Sequence, residues 1–208
     1  MNPWIVLCSA NQDKLKELRR LMKGLGVRVV SVADLDRPLP KVVENGRTFA
    51  ENAAKKARIY SRLSDHLTIA DDSGLCVRAL NGRPGVYSAR FAGPGCTYDD
   101  NNRKLLSLLE GKPLKSRGAT FISTIAVYQK GRKIKIIKGA VDGTITEKAM
   151  GRHGFGFDPV FVPKGSRVTF AQMSSAAKNK TSHRGLALRE VRKFLESYFK
   201  KTAGKHRP

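Results

Sequence analysis

Acidic residues are scarce in this chain: 17 Asp and Glu stand against 40 Lys and Arg, a formal net charge of +23. Such a surface draws polyanions, whether nucleic acid, nucleotides or anionic lipid. The bases are scattered singly and in pairs, with no run of five or more, so a generally basic solvated surface is the first reading. Cysteine is nearly absent too. Cys8, Cys76 and Cys96 form no CxxC pair, which excludes a disulfide framework or a zinc knuckle and points to free thiols in a reducing, cytoplasmic setting. No apolar run approaches the ~20 residues of a membrane span, and the start lacks a basic segment followed by a long apolar core, so neither a membrane nor a secretory signal is expected. What remains, 208 residues with 40% hydrophobic and 27% charged content, suits one large soluble domain or two small lobes.

The stretch from Leu67 to Gly93 carries the densest chemistry. An apolar run, Leu67 to Ala70, delivers two adjacent acids, Asp71 and Asp72, to Ser73-Gly74. Neighbours in a strand point to opposite faces. For both acids to serve one site, the strand should end between them, one acid capping the turn and the other entering a cleft. A polar strand-to-turn junction with no further role is the plain alternative.

Upstream, Trp4 to Cys8 reads as a buried strand, and leucines at 15, 18, 21 and 25 recur at helical spacing with Gly24 or Gly26 to end the helix. A strand, a short turn and a helix start leave N–H groups aimed past the strand, where a phosphate fits. Lys14 supplies the counter-charge. The loop lacks Walker A glycines. A second short strand spans 27–32. Glu44 precedes a helix over 50–58, where Thr48 and Glu51 have capping-box spacing, and Lys56 lies two turns in. Glu44 and Lys56 can reach one cleft, or each can be an ordinary surface charge.

The later half predicts a helix over 99–109 and a hairpin of strands, 119–128 and 133–141, turning at Lys130-Gly131-Arg132. Gly154-Phe155-Gly156-Phe157-Asp158-Pro159 breaks all periodicity. Its glycines permit close approach of a ligand, and Phe155 and Phe157 can either stack on a flat ring or plug into the core. Ser182 can cap a last helix with Leu188, Val191, Leu195 and Phe199 on one stripe, and residues 200–208 read as a frayed basic tail.

Five segments, SANQDK, FAENAAKKAR, ADDSGLCVRALNGRPGVYSARFAG, GFGFDPVF and SHRGLAL, stand in the order found in the inosine triphosphate pyrophosphatase family, which the chain resembles along nearly its whole length. The resemblance implies an elongated two-lobed α/β fold around a long, twisted mixed sheet with a central cleft, in a homodimer. The reaction it implies is Mg²⁺-dependent hydrolysis of purine nucleoside triphosphates such as ITP, dITP and XTP to the monophosphate and pyrophosphate. By position, Asp72 matches the catalytic carboxylate and metal contact, and Glu44 the second metal acid. Lys14 and Lys56 match the phosphate lysines, and Ser9, Ala10, Asn11, Gln12, Asp13 and Lys14 the phosphate loop, with Ser73 helping to hold the phosphates. Phe155, Gly156, Phe157 and Asp158 would face Lys178, His183 and Arg184 across the base, Asp158 accepting hydrogen bonds from it.

Arg184 would donate to the 6-oxygen of hypoxanthine or xanthine. Adenine presents a donor there, leaving buried groups unpaired at about 1–3 kcal/mol. Ala10, Asp13, His153, Phe157 and Gln172 depart from residues common in relatives. Two rivals differ in class. A pyrimidine pyrophosphatase of related fold would carry a Ser-x-x-Arg loop where Asn11 and Lys14 stand. A basic nucleic-acid-binding protein would need neither Asp72 nor Glu44.

Overall fold

A computed structural model of the protein describes residues 3–9, 11–35 and 38–204. Strand β1, Trp4–Leu7, is buried from Ile5 onward. Helix α1, Gln12–Met22, follows after one short loop and buries Leu15, Leu18 and Met22. The Asn11 side chain caps it by accepting the Asp13 and Lys14 N–H groups, so an Asn at this position both starts the helix and fixes the loop. Gly24 then takes the left-handed conformation, φ 82°, and the chain returns as β2, Arg28–Ser31. Helix α2, Phe49–Tyr60, is capped by Thr48. The expected box is only half formed, because the Glu51 carboxylate takes the Arg47 N–H instead.

Strand β3, Leu67–Val77, overturns one expectation. It does not end between the two acids but runs unbroken for 11 residues through Ser73 and Gly74. Gly74 is what permits it: a Cβ there would lie 2.5 Å from the Gly85 carbonyl oxygen and 2.4 Å from the Ser88 Oγ, which excludes any larger residue. Helix α3 spans Tyr98–Leu108 and opens on a Thr97–Asp100 capping box. The hairpin strands β4, Gly118–Gln129, and β5, Arg132–Ile145, are each longer than the periodicity predicts. Strand β6, Phe161–Pro163, and helices α4, Ser175–Thr181, and α5, His183–Gly204, complete the chain. The Ser182 hydroxyl accepts the Gly185 N–H at 3.1 Å and caps α5 as expected. The helix continues past Lys200 rather than fraying there, and residues 205–208 lie outside the described residues.

The strands form one six-stranded sheet in the order β2-β1-β3-β4-β5-β6. β1 is parallel to β2 and β3; the remaining pairs are antiparallel. A bulge opposite Val127 and Tyr128 inserts Ile134 into β5, and the simple Lys/Ile alternation there breaks, leaving Ile136 37% exposed.

Two apolar clusters lie along the same long strands. One gathers Ile5, Leu18, Ile69, Ile125 and Val127 with Val191 and Leu195 of α5. The other gathers Leu75, Val77, Leu105, Phe121, Phe161 and Phe170. Burying each such aromatic contributes about 1.5–3 kcal/mol. Between Ile69 and Leu75 on β3, and between Phe121 and Ile125 on β4, the sequence turns polar. That interruption splits the core into two lobes and sets a cleft between them.

Candidate active site

The cleft encloses about 420 Å³ and is lined by Ser9, Asn11, Lys14, Glu44, Lys56, Asp72, Ser73, Phe155, Gly156, Phe157, Asp158, Lys178, His183 and Arg184, among others. Of the remaining candidates, Gln12 is exposed at the start of α1. Asp13 lines a separate side pocket of about 160 Å³, so neither faces the main cleft; α1 has already turned them away. Ala10 lies outside the described residues.

Because β3 continues through both acids, the pleat sends them to opposite faces. Asp71 pairs in register with Ile125, and Asp72 with Thr124. On its face Asp71 is saturated. Its Oδ1 accepts from the hydroxyls of Ser73 and Ser123, and its Oδ2 accepts Arg184 Nε at 2.8 Å and lies 3.2 Å from Lys14 Nζ. Burial would raise this carboxyl, but Lys14, Arg184 and the hydrogen bonds outweigh it and hold it well below the usual carboxylate range. The Asp71 carbonyl oxygen also gathers Lys14 Nζ at 3.1 Å and Lys56 Nζ at 3.2 Å. Two ammonium groups from different helices therefore converge within a phosphate's reach of each other.

On the other face Asp72 is buried, yet its Oδ2 has no hydrogen-bond partner among the described residues. Burial pushes its pKa up, with Lys56 and the neighbouring Asn52 amide opposing and Glu44 adding to the rise. Glu44 Oε1 sits 2.9 Å from Lys56 Nζ. Burial would lower the Lys56 pKa, but Glu44 outweighs it and the net shift is upward. Lys14 goes the other way, lowered mainly by burial despite Asp71. An orphaned, buried carboxylate oxygen beside a second carboxylate fits a hard divalent cation that takes one or two carboxylates and completes its shell from phosphate and water. Among the described residues no cluster of three or more acids, His or Cys forms an all-protein cage.

The far end of the cleft is organised by Arg184. Its Nε binds Asp71, its Nη1 binds Glu17 Oε2 at 3.0 Å, and its Nη2 binds Ser73 Oγ at 3.2 Å. Of five guanidinium N–H groups, two are left, one on each terminal nitrogen. Ser73 gives its own proton to Asp71, so its hydroxyl positions Arg184 rather than being free to donate to a ligand. Phe155 and Phe157 divide the two roles expected of them. Phe157 plugs into the second core cluster, while the Phe155 ring lies 4.9 Å from Lys178 Nζ and 5.1 Å from the Arg184 guanidinium. The Asp158 Oδ2, expected to face a base, is committed to Lys178 and to the Phe155 N–H at 2.8 Å. It holds its own loop shut.

His183 stacks flat on Phe121, centroids 4.3 Å apart, and burial with the nearby Arg184 and Lys178 charges keeps it neutral. Gly139 makes room for it: a Cβ there would meet the His183 carbonyl oxygen at 2.1 Å.

Sequence reasoning missed Glu17, Ser123 and Tyr98, and it gave Asp71 no part in an ion network. Glu17 joins Arg184 and Lys178 from α1. Asp71 and Ser123 anchor the ion network, and Tyr98, which lines the cleft, accepts from Asn11 Nδ2 at 3.3 Å. Glu17 was legible in principle, one helical turn beyond Lys14; Ser123 and Tyr98 carry no local signal.

A family model described as the Ham1 family matches residues 5–194. A protein of Thermoanaerobacter pseudethanolicus named dITP/XTP pyrophosphatase is 42% identical over 191 residues, covering 92% of this chain and 96% of its own. One of the same name from Nocardia farcinica is 45% identical over 189 residues, 90% and 92% of the two chains. Among solved structures, a HAM1 protein from Coxiella burnetii superposes with a TM-score of 0.85 at 35% identity, covering 94% of this chain and 99% of that one. The Staphylococcus aureus Ham1 protein gives 0.83 at 37% identity, with the same coverage. Motif order, mixed sheet and cleft agree with these matches: the chain belongs to the Ham1 family.

Proposed function

We propose that this protein hydrolyses non-standard purine nucleoside triphosphates, dITP, XTP and ITP, to the monophosphate and pyrophosphate in a Mg²⁺-dependent reaction. The observation that carries the reading is the division of labour along β3. Asp72 is left with an unpartnered oxygen in the cleft that Lys56 and Glu44 also line, while Asp71 ties the phosphate lysine Lys14 to the base-reading Arg184. The names of relatives above 40% identity over nine-tenths of the chain support it.

Asp72 and Glu44 would hold the Mg²⁺, which when bound polarises phosphate oxygens and makes water more acidic. Lys14 and Lys56 bind the triphosphate and offset the charge that grows on the departing pyrophosphate. The Asp72 carboxylate would orient the attacking water toward the α-phosphorus and take its proton. The two spare N–H groups of Arg184 donate to the 6-oxygen of the base, and Phe155 offers a face to stack on. Both lobes supply residues, so the chain works as one domain. The homodimer implied by the family resemblance belongs to the same proposal, checked by light scattering. So does a reducing, cytoplasmic setting, with which the three unpaired cysteines agree. Among the described residues no helix is long and apolar enough to cross a membrane.

The test is pyrophosphate release from ITP, XTP, dITP, GTP, ATP and dTTP with Mg²⁺, alongside Asp72→Asn. Turnover of the first three, lost in the variant, is the expected result. Preference for dTTP would move the protein to the pyrimidine class, and no turnover by folded protein would remove the enzyme reading.

A further inference from the structure

The cleft opens at the carboxyl ends of β1 and β2, where Ser9 and Val32 line it. The opposite end of the sheet has a different character. There the first residues of the parallel strands meet the β4–β5 turn in one row. Arg28 pairs in register with Trp4 and lays its guanidinium 4.4 Å over the indole. Trp4 stacks on His66 at 5.2 Å. Gln129 hydrogen-bonds the Asp65 carbonyl and pairs in register with Arg132. Arg62 reaches the turn from the end of α2, its Nε 2.9 Å from where a Cβ on Gly131 would stand, and the Gly131 N–H binds Ser61 Oγ. Lys133 and Lys135 continue outward along β5, both exposed.

Cations that are scattered in sequence are thus gathered by the topology. Five strands at roughly 4.8 Å spacing make a rim about 19 Å long. Among the described residues the carboxylate paired on this rim is Asp65, with Lys130 at 3.2 Å. Among the described residues no ion pair neutralises Arg28, Arg62, Arg132, Lys133 or Lys135. Five unneutralised charges on one edge repel one another and cost stability unless an anion meets them.

We infer that this rim is a second binding surface, separate from the cleft, that takes single-stranded nucleic acid through its phosphates without sequence preference. A row of exposed cations, running from Arg28 beside Trp4 to Lys135, matches a partner with regularly spaced phosphates on a flexible backbone. An anionic membrane fits less well. Membrane-surface elements pair cations with large apolar side chains, and of the exposed large hydrophobics only Ile136 lies on the strand that forms this edge.

The experiment titrates protein into a fluorescein-labelled, mixed-sequence RNA 20-mer at several salt concentrations, following anisotropy and the emission of Trp4, the chain's single tryptophan. Binding should be micromolar or weaker at physiological salt, fall steeply with added salt, and perturb Trp4. The triple variant Arg132→Glu, Lys133→Glu, Lys135→Glu should lose at least tenfold in affinity and about two in the log–log salt slope, each phosphate contact carrying roughly 0.7. Its pyrophosphatase activity should be unchanged and its melting temperature no lower than that of wild type, since rim repulsion is relieved, which shows that it folds. The control triple Lys112→Glu, Lys115→Glu, Lys148→Glu makes the same charge change near the start of β4, at the far end of the sheet, and should bind within threefold of wild type. Equal losses in both triples would mean net charge alone acts, and would overturn the rim. No binding at low salt would overturn it as well. So would tighter, rim-dependent association with phosphatidylserine vesicles than with the oligonucleotide.

Discussion

Asp71 and Asp72 are neighbours on one strand, of one residue type and similar burial, yet they stand in opposite electrostatic conditions. Around Asp71, two hydroxyls and two cations satisfy both carboxylate oxygens, and its pKa falls. Around Asp72, one oxygen has nothing to bind, and its pKa rises. The pleat of a strand that does not stop is enough to sort them. One face becomes a permanent scaffold, complete before any ligand arrives; the other is left incomplete, and an incomplete buried carboxylate is where a cation and a reacting water gain most. Buried polar groups left without partners cost about 1–3 kcal/mol each, so the active face is held at the expense of stability that the scaffold face supplies.

The largest expected effect separates the two faces directly. Asp72→Asn should lower kcat for ITP by about 10²–10⁴, the range for losing a positioned proton acceptor. It should also raise the melting temperature of the ligand-free protein, by about 2–4 °C for each kcal/mol of relieved burial cost. Steady-state rates and calorimetry on one preparation decide it. A variant that loses both activity and stability would show that Asp72 is structurally paired after all.

Asp71→Asn should do the reverse. Removing one partner of a buried ion network costs about 3–5 kcal/mol, because Arg184 and Lys14 are left uncompensated, so melting should fall by on the order of 10 °C. The pH dependence carries the same contrast. A carboxyl whose folded pKa is depressed contributes stability that is present above its unfolded value near 3.9 and is lost as pH falls through the folded value. Wild type should therefore lose stability below about pH 4, and Asp71→Asn should flatten that acid limb. Asp72 has a raised folded pKa, so its contribution runs oppositely: stability declines as pH rises from its unfolded toward its folded value, and Asp72→Asn should remove that decline. Melting curves from about pH 3 to 7 test both slopes.

These contrasts also show what was legible in the residues. The helices of the first lobe followed from Leu15, Leu18 and Thr48, and the hairpin from Lys130-Gly131-Arg132, because those signals are local. Continuation of β3 through Ser73-Gly74 was not legible: those residues favour a turn, and they stay extended only because Ser88 and Gly85 press against Gly74 from a segment a dozen residues away. The motif residues met in the cleft because helix and strand periodicity aims them there. Gln12 and Asp13 do not line the cleft, because α1 begins at Gln12 and turns their side chains out. Ser123 and Tyr98 reach the site through strand register and the placement of α3, which no short-range pattern encodes.

A smaller effect is expected at the link between the faces. Arg184→Lys keeps a charge near Asp71 but cannot hold Asp71, Glu17 and Ser73 together and still present two donors. The ratio of kcat/KM for ITP over ATP should fall by about 5–150-fold, the equivalent of one unmatched buried hydrogen bond, with the loss in selectivity exceeding the loss in kcat. Equal losses for both nucleotides would mean that Arg184 supports the scaffold and does not read the base.

The smallest effect tests whether the scaffold face alone sets the geometry. Tyr98 touches two walls of the cleft, its hydroxyl accepting from Asn11 ahead of α1 and its ring 6.1 Å from Phe155. That bond is exposed and 3.3 Å long, worth about 0.5–1 kcal/mol. If the ion network through Asp71 fixes how the proposed phosphate and base ends are spaced, Tyr98→Phe should raise KM no more than about two- to fivefold and leave kcat alone, since the ring contact is kept. A large loss in kcat would mean that the spacing is set by a tie across the mouth of the cleft, and that the buried network only holds the walls behind it.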